Sequence, residues 1–312
     1  MPAPTGVSFR TSEETFVSEG VRCAVRVYRP AASDSAPSVR PVIVMGHGFG
    51  GVRALRLYSY AERFVADGYV VVVFDYRGFG ESEGSPRQLL DVGMQHQDWR
   101  AALGFARSLP GVDPGRVVAW GTSFGGGHVI TLAGKGEKLE AIIAQVPHVS
   151  GPAAVRATGL APSLRVIRLG IRDQIAALLG RAPVYVPAVG EPGSTAVMTT
   201  PDAVPGLTRQ AEESGITEDD YPYYVAARIT LKIGFYSPAR YASGVTCPAL
   251  IQIAADDAVT PRRVAESAAA RMTQSSVHVY DCGHFEPYVA PLFDKVVSDQ
   301  LNFLRAHVPV TA

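Results

Sequence analysis

Several stretches of this chain are apolar at every position, which restricts it to folds that bury strands on both faces. Val42 to Met45, Tyr69 to Phe74 and Ala141 to Ala144 have almost no polar side to turn to water, the pattern of strands inside a helix-covered sheet. Helical spacing fills the intervals. Tyr58 to Ala66 reads as one helix and Asp91 to Leu109 as another, with Trp99, Leu103, Ala106 and Leu109 at helical intervals and Pro110-Gly111 as a stop. Arg116 to Trp120 then reads as a strand and His128 to Leu132 as helical. Such alternation predicts an α/β chain with a mostly parallel central sheet flanked by helices. Earlier, Val21 to Tyr28 alternates apolar and polar residues, predicting an antiparallel strand with one wet face, and a loop rich in Pro, Ala and Ser (residues 30–41) follows it.

The rhythm stops after Ala144 and resumes at Ala249. Ala249 to Ile253 and Val277 to Tyr280 read as strands, Pro261 to Met272 and Leu292 to His307 as helices. Between them lie an amphipathic stretch (Leu164 to Leu179), a Pro/Gly-rich stretch (Ala182 to Pro205) and aromatic residues at Tyr221, Tyr223, Tyr224, Phe235 and Tyr236. The expected organisation is a core of residues 1–147 and 244–312, with residues 148–243 inserted as a mainly helical cap. A chain of 312 residues, 47% hydrophobic, is long enough for both.

Charge narrows the partners. The 29 basic and 29 acidic side chains cancel, so no overall field holds nucleic acid or an anionic membrane, and a small, largely neutral substrate fits better. A homodimer is a possible assembly. Cys23, Cys247 and Cys282 are too scattered for a disulfide framework or a metal pair and are read as buried small residues. Neither metal-ligand spacing nor a phosphate-cradling loop with Lys is present, so no metal and no organic cofactor is expected. The first 16 residues lack a basic flank followed by an apolar run, and no stretch approaches a membrane span, so a cytoplasmic protein is expected.

One turn carries chemistry. Gly121-Thr122-Ser123-Phe124-Gly125 stands between the strand Arg116 to Trp120 and the helical segment at His128. A serine hydroxyl is a weak nucleophile unless a base takes its proton, and a tight strand-to-helix turn holds it exposed to that base. His284, just past the strand Val277 to Tyr280, is the candidate base. Asp257, past the strand Ala249 to Ile253, is the candidate acid that orients it, with Asp256 as its rival because neighbouring strand-end residues point to opposite sides. Of the other histidines, His148 at the cap's start is a candidate substrate contact, and His128 reads as packing or pocket wall. His96 and His278 read as surface or edge positions, and His307 falls in the last helix. The Gly-rich turn His47-Gly48-Phe49-Gly50-Gly51 can offer backbone N–H groups to a developing oxyanion. Phe49 and Phe124 are its candidate donors. Among the cap aromatics, Tyr223 and Tyr224 are candidate substrate contacts, against the alternative that these rings only fasten the cap to the core.

Together these turns, Asp75-Tyr76-Arg77-Gly78-Phe79-Gly80-Glu81-Ser82 and the closing Gly283-His284-Phe285 resemble the α/β-hydrolase superfamily. Within it the chain resembles the dienelactone-hydrolase-related, acetyl-esterase and X-Pro-peptidase-like bacterial hydrolases. The resemblance covers residues 7–147 and 244–308. It implies a Ser123, His284 and Asp257 triad, an oxyanion hole at Phe49 and Phe124, and a serine hydrolase of the carboxylesterase type. Alternatives are the same triad acting on an amide or peptide, a thioester or a lactone, or as an acyltransferase, and a non-catalytic ligand-binding relative. Ala254 departs from the pattern, since relatives often have glycine three residues before the acid.

Overall fold

The computed structural model describes residues 8–31, 39–217 and 220–310. Part of the N-terminal stretch (residues 1–7) and most of the Pro/Ala/Ser loop (32–38) lie outside them. Eight strands form one sheet: β1 (Phe9–Ser18), β2 (Val21–Pro30), β3 (Arg40–Gly46), β4 (Val70–Phe74), β5 (Val112–Thr122), β6 (Ala141–Gln145), β9 (Ala249–Ala254) and β10 (Ser275–Tyr280). Their spatial order is β1-β2-β4-β3-β5-β6-β9-β10. The first three in that order pair antiparallel, and the rest are parallel.

The apolar runs behave as a two-sided sheet requires. Val42, Val44, Val70 and Val72 pack against helices α2 (Val92–Ser108) and α3 (Phe124–Gly134), while Ile43, Met45, Val71 and Val73 pack on the other face against α1 (Leu57–Ala66) and α8 (Phe293–His307). Asp91 caps α2 by accepting the N–H groups of Gly93 and Met94 at 2.9 and 3.2 Å. A short helix, α7 (Arg262–Ala269), is a turn shorter than the sequence reading, ending before Met272.

Strand β1 was not singled out by the sequence reading. It is an edge strand, FRTSEETFVS, mostly exposed on both sides, so no apolar alternation marks it. His96 also corrects the reading: it is 8% exposed, because it lies on α2 one turn before Trp99 and on the same inward face.

The order in which the chain adds strands reverses at β3: β4 lies on one side of β3 and β5 on the other, all three parallel. Open α/β sheets bind ligands at the carboxyl ends of strands beside such a point. Between β6 and β9 the chain leaves the sheet and builds α4 (Gly151–Thr158), α5 (Leu160–Leu178), α6 (Ala203–Ser214), a two-stranded ribbon of β7 (Tyr185–Pro187) and β8 (Tyr224–Ala226), and short 3₁₀ turns. Buried Asp173 of α5 ties this segment together, holding Arg228 through two bonds of 2.7 and 2.9 Å.

Candidate active site

Ser123 sits at the carboxyl end of β5 with φ 52° and ψ −115°, a conformation that costs a non-glycine residue about 1–3 kcal/mol. Its surroundings impose it. The Ser123 N–H donates to the Gln145 carbonyl at 2.9 Å, and its carbonyl accepts from Gly127 and His148 at 3.1 and 2.8 Å. Glycine is required beside it by close approach: a Cβ on Gly121 would lie 2.2 Å from the Gly125 carbonyl oxygen, and one on Gly125 would lie 2.5 Å from that of His47. The sharp turn thus packs closely over the carboxyl end of β3 and holds the hydroxyl toward His284.

His284 and Asp257 arrive from loops after β10 and β9. The imidazole Nε2 lies 3.1 Å from Ser123 Oγ, and Nδ1 lies 2.7 Å from Asp257 Oδ2. Asp256 is exposed and its backbone only meets the Cys282 carbonyl. The two neighbours differ because Asp257 folds back as a turn: its carboxylate accepts the N–H of Val259 and of Thr260 at 2.8 and 2.6 Å and the Thr260 hydroxyl at 2.8 Å. Burial alone would raise the Asp257 carboxyl, but the facing His284 and the Thr260 donors hold it below its ordinary value. It therefore stays ionised at neutral pH. Thr260 was missed by the sequence reading; its signal was the Asp-x-x-Thr spacing of a side chain capping its own turn.

The turn after β3 closes the site from the other side. A Cβ on Gly48 would lie 3.6 Å from Ser123 Oγ, so this backbone runs against the hydroxyl. Among the described residues neither the Phe49 N–H nor the Phe124 N–H donates to a backbone carbonyl. Phe124 is the first residue of α3, where N–H groups have no partner within the helix and the helix dipole favours negative charge. The two rings meet edge to face at 5.6 Å.

Ser123 opens into a cavity of about 330 Å³ lined by Phe49, Phe124, His148, Val166, Val197 and Met198, among others. A recess of about 60 Å³ lies on the His284 side, shares Phe49, Ser123 and Met198 with it, and is walled by Tyr221, Phe285 and Tyr288. His148 thus borders the larger cavity. Tyr223 and Tyr224 border neither: Tyr223 packs on Tyr221 at 4.5 Å, and Tyr224, 41% exposed, packs on Tyr185 at 4.7 Å. Phe235 is 79% exposed, while Tyr236 is buried against Phe124 and His148. Spacing showed the aromatic cluster but not which rings face inward. Val197 and Met198, from the Pro/Gly-rich stretch, carried no sequence signal for the site.

The Asp75 turn, quoted above among the turns that carry the resemblance, has a structural part. Asp75 accepts the N–H groups of Arg53 and Glu81 at 2.7 and 3.2 Å, with the Arg53 guanidinium 3.1 Å away. These bonds pin the loop that follows His47.

Four further histidines are buried near the site. Burial pushes His47, His96 and His148 down to about 4, and His128 well below its ordinary value. His128 and His96 meet at 3.0 Å, and His128 also meets Tyr236 and Gln95 at 2.7 and 2.8 Å. In the unfolded chain each histidine titrates near about 6.5. With folded values lowered, their full contribution to stability is present above that pH and is lost as pH falls toward 4. Asp75, raised to about 6 by burial, works in the opposite direction and offsets roughly one of them. The unfolding free energy from urea titration should therefore fall as pH drops from about 6.5 to 5, by about 1.4 kcal/mol per pH unit for each histidine not offset, and the urea midpoint with it. A flat or rising midpoint would contradict neutral burial of these rings.

The sheet, its switch point and the serine turn define an α/β-hydrolase fold. Comparison with known proteins agrees. Residues 19–173 match the X-Pro dipeptidyl-peptidase (S15) family model. The quorum-quenching protein AidA of Acinetobacter baumannii is 44% identical over 296 residues, which cover 95% of this chain and 94% of that protein. Thiohydrolase aneE of Aspergillus aculeatus is 36% identical over 137 residues, 44% of this chain and 41% of that one. The crystal structure of the α/β-hydrolase GrgF from a Penicillium species superimposes with a TM-score of 0.77 at 21% identity, covering 96% of this chain and 99% of that one. The chain belongs to the α/β-hydrolase family of serine hydrolases.

Proposed function

We propose that this protein hydrolyses a small, largely neutral acyl substrate, a carboxylic ester in the first instance, with Ser123 as nucleophile. The observation that carries the reading is the bonded chain from Asp257 through His284 to Ser123, opening directly onto the 330 Å³ cavity. His284 takes the Ser123 proton as Oγ attacks the carbonyl carbon, and the resulting oxyanion rests on the Phe49 and Phe124 N–H groups. When the tetrahedral intermediate collapses, His284 returns that proton to the leaving oxygen and an acyl-enzyme remains. Water then attacks, with His284 again as base, and releases the acid and free Ser123. Residues 148–243 act as the cap that walls the cavity.

The apolar lining supports an acyl chain as the occupant of the larger cavity. Each methylene that enters it should raise kcat/KM about fourfold, the worth of one buried CH₂, until the space is filled. A series of nitrophenyl esters of increasing acyl length tests this; constant kcat/KM along the series would place the acyl group elsewhere. A second reading is a thioester or lactone substrate, and the name of the thiohydrolase relative favours the thioester. Thioesters and lactones of the best acyl length, run beside the oxygen esters, separate the two.

A further inference from the structure

Helix α5 has two apolar sides and only one of them is occupied. Ser163, Val166 and Ile167 line the larger cavity. On the outer side Leu164, Ile171, Ile175 and Leu178 are 50%, 48%, 51% and 77% exposed. At about 100° per residue these four fall within an arc of about 60°, a single stripe along the helix. Arg168, Arg172 and Arg165 follow along one flank of that stripe, all exposed. Residues 151–181 hold five arginines, no lysine and one acid. That acid is Asp173, buried and engaged by Arg228. Among the described residues, Arg156, Arg165, Arg168, Arg172 and Arg181 form no ion pair with an acid.

We propose that this outer face of α5 docks on an anionic lipid surface. The leucine and isoleucine side chains enter the boundary between headgroups and acyl chains, and the arginines meet lipid phosphates. Large apolar residues beside an unpaired basic flank are what a helix lying in a membrane interface requires. No described helix is long and apolar enough to cross a membrane, so this one lies on the surface. A second copy of the chain is a poorer occupant, because a two-fold contact through this face would set the same arginines against each other. The chain's zero net charge does not oppose docking, since attraction at a membrane acts within about a Debye length and is felt by the local cluster.

The test is flotation of the full chain with vesicles of phosphatidylcholine mixed with phosphatidylglycerol, and with phosphatidylcholine alone. The protein should float with the mixed vesicles, and less so as salt is raised. Replacing Arg165, Arg168 and Arg172 with Gln should weaken that binding about 100-fold, roughly fivefold for each charge. The double change Ile175→Glu and Leu178→Glu should abolish it. Both variants should melt at the wild-type temperature, since all five side chains are exposed. Failure of the wild type to float with the mixed vesicles overturns the proposal, as does binding that survives in both variants. A dimer that ignores vesicles and is split by the Glu variant assigns the face to a second copy instead. None of these readouts depends on catalysis.

Discussion

Replacing Ser123 with Ala should lower turnover of a short acyl ester by about 10⁴-fold or more while leaving the fold intact. The size follows from the role: without Oγ there is no acyl-enzyme, and water must attack the bound ester unaided. Residual rate comes only from binding and from the N–H groups of Phe49 and Phe124. Stability should hold or rise slightly, because the hydroxyl's bond to His284 is a single 3.1 Å contact. The positive φ is fixed by the backbone bonds to Gln145, Gly127 and His148, which Ala retains. A variant within tenfold of wild type, folded and free of wild-type contamination, would mean that another group performs the attack.

Asp257→Asn should cost about 10⁴-fold in kcat, and Asp256→Asn less than threefold, on the reading that only the first acid fixes the imidazole. An amide at 257 can offer N–H to Nδ1, which favours the tautomer with its proton on Nε2, so that His284 can no longer accept from Ser123. The Asn side chain also loses the charge that stabilises the imidazolium during attack. Because the Val259 and Thr260 donors still find the remaining carbonyl oxygen, the turn should persist and KM should move little. Equal losses at both positions would show that the loop, and not the contact at 2.7 Å, sets the rate.

Much of this was legible in the residues. Strand β4 is apolar throughout, and β3 and β6 are apolar from Val42 to Met45 and from Ala141 to Ala144, because helices cover both sides of the sheet, and that leaves an unmistakable trace. The serine turn was legible because its glycines sit where carbonyls crowd in from Gly125 and His47. The choice between Asp256 and Asp257 was not fixed by sequence, since it turns on how one carboxylate folds back onto Val259 and Thr260. The segment after β6 was harder for a different reason. Its α5 is apolar toward the cavity and toward solvent at once, so periodicity does not mark an inside, and its tyrosines divide between Tyr221 at the recess and Tyr224 at the surface. His96, by contrast, is a misreading that helix spacing corrects: it precedes Trp99 by three residues on the buried face.

The central claim is that Ser123 attacks the acyl carbonyl, and a fluorophosphonate probe examines that attack directly. After reaction with the wild-type protein, intact mass followed by peptide mapping should show one adduct per chain, on the peptide containing Ser123. Labelling should disappear in Ser123→Ala and fall sharply with His284→Ala. An adduct on a different residue, or undiminished labelling of Ser123→Ala, would contradict the assignment.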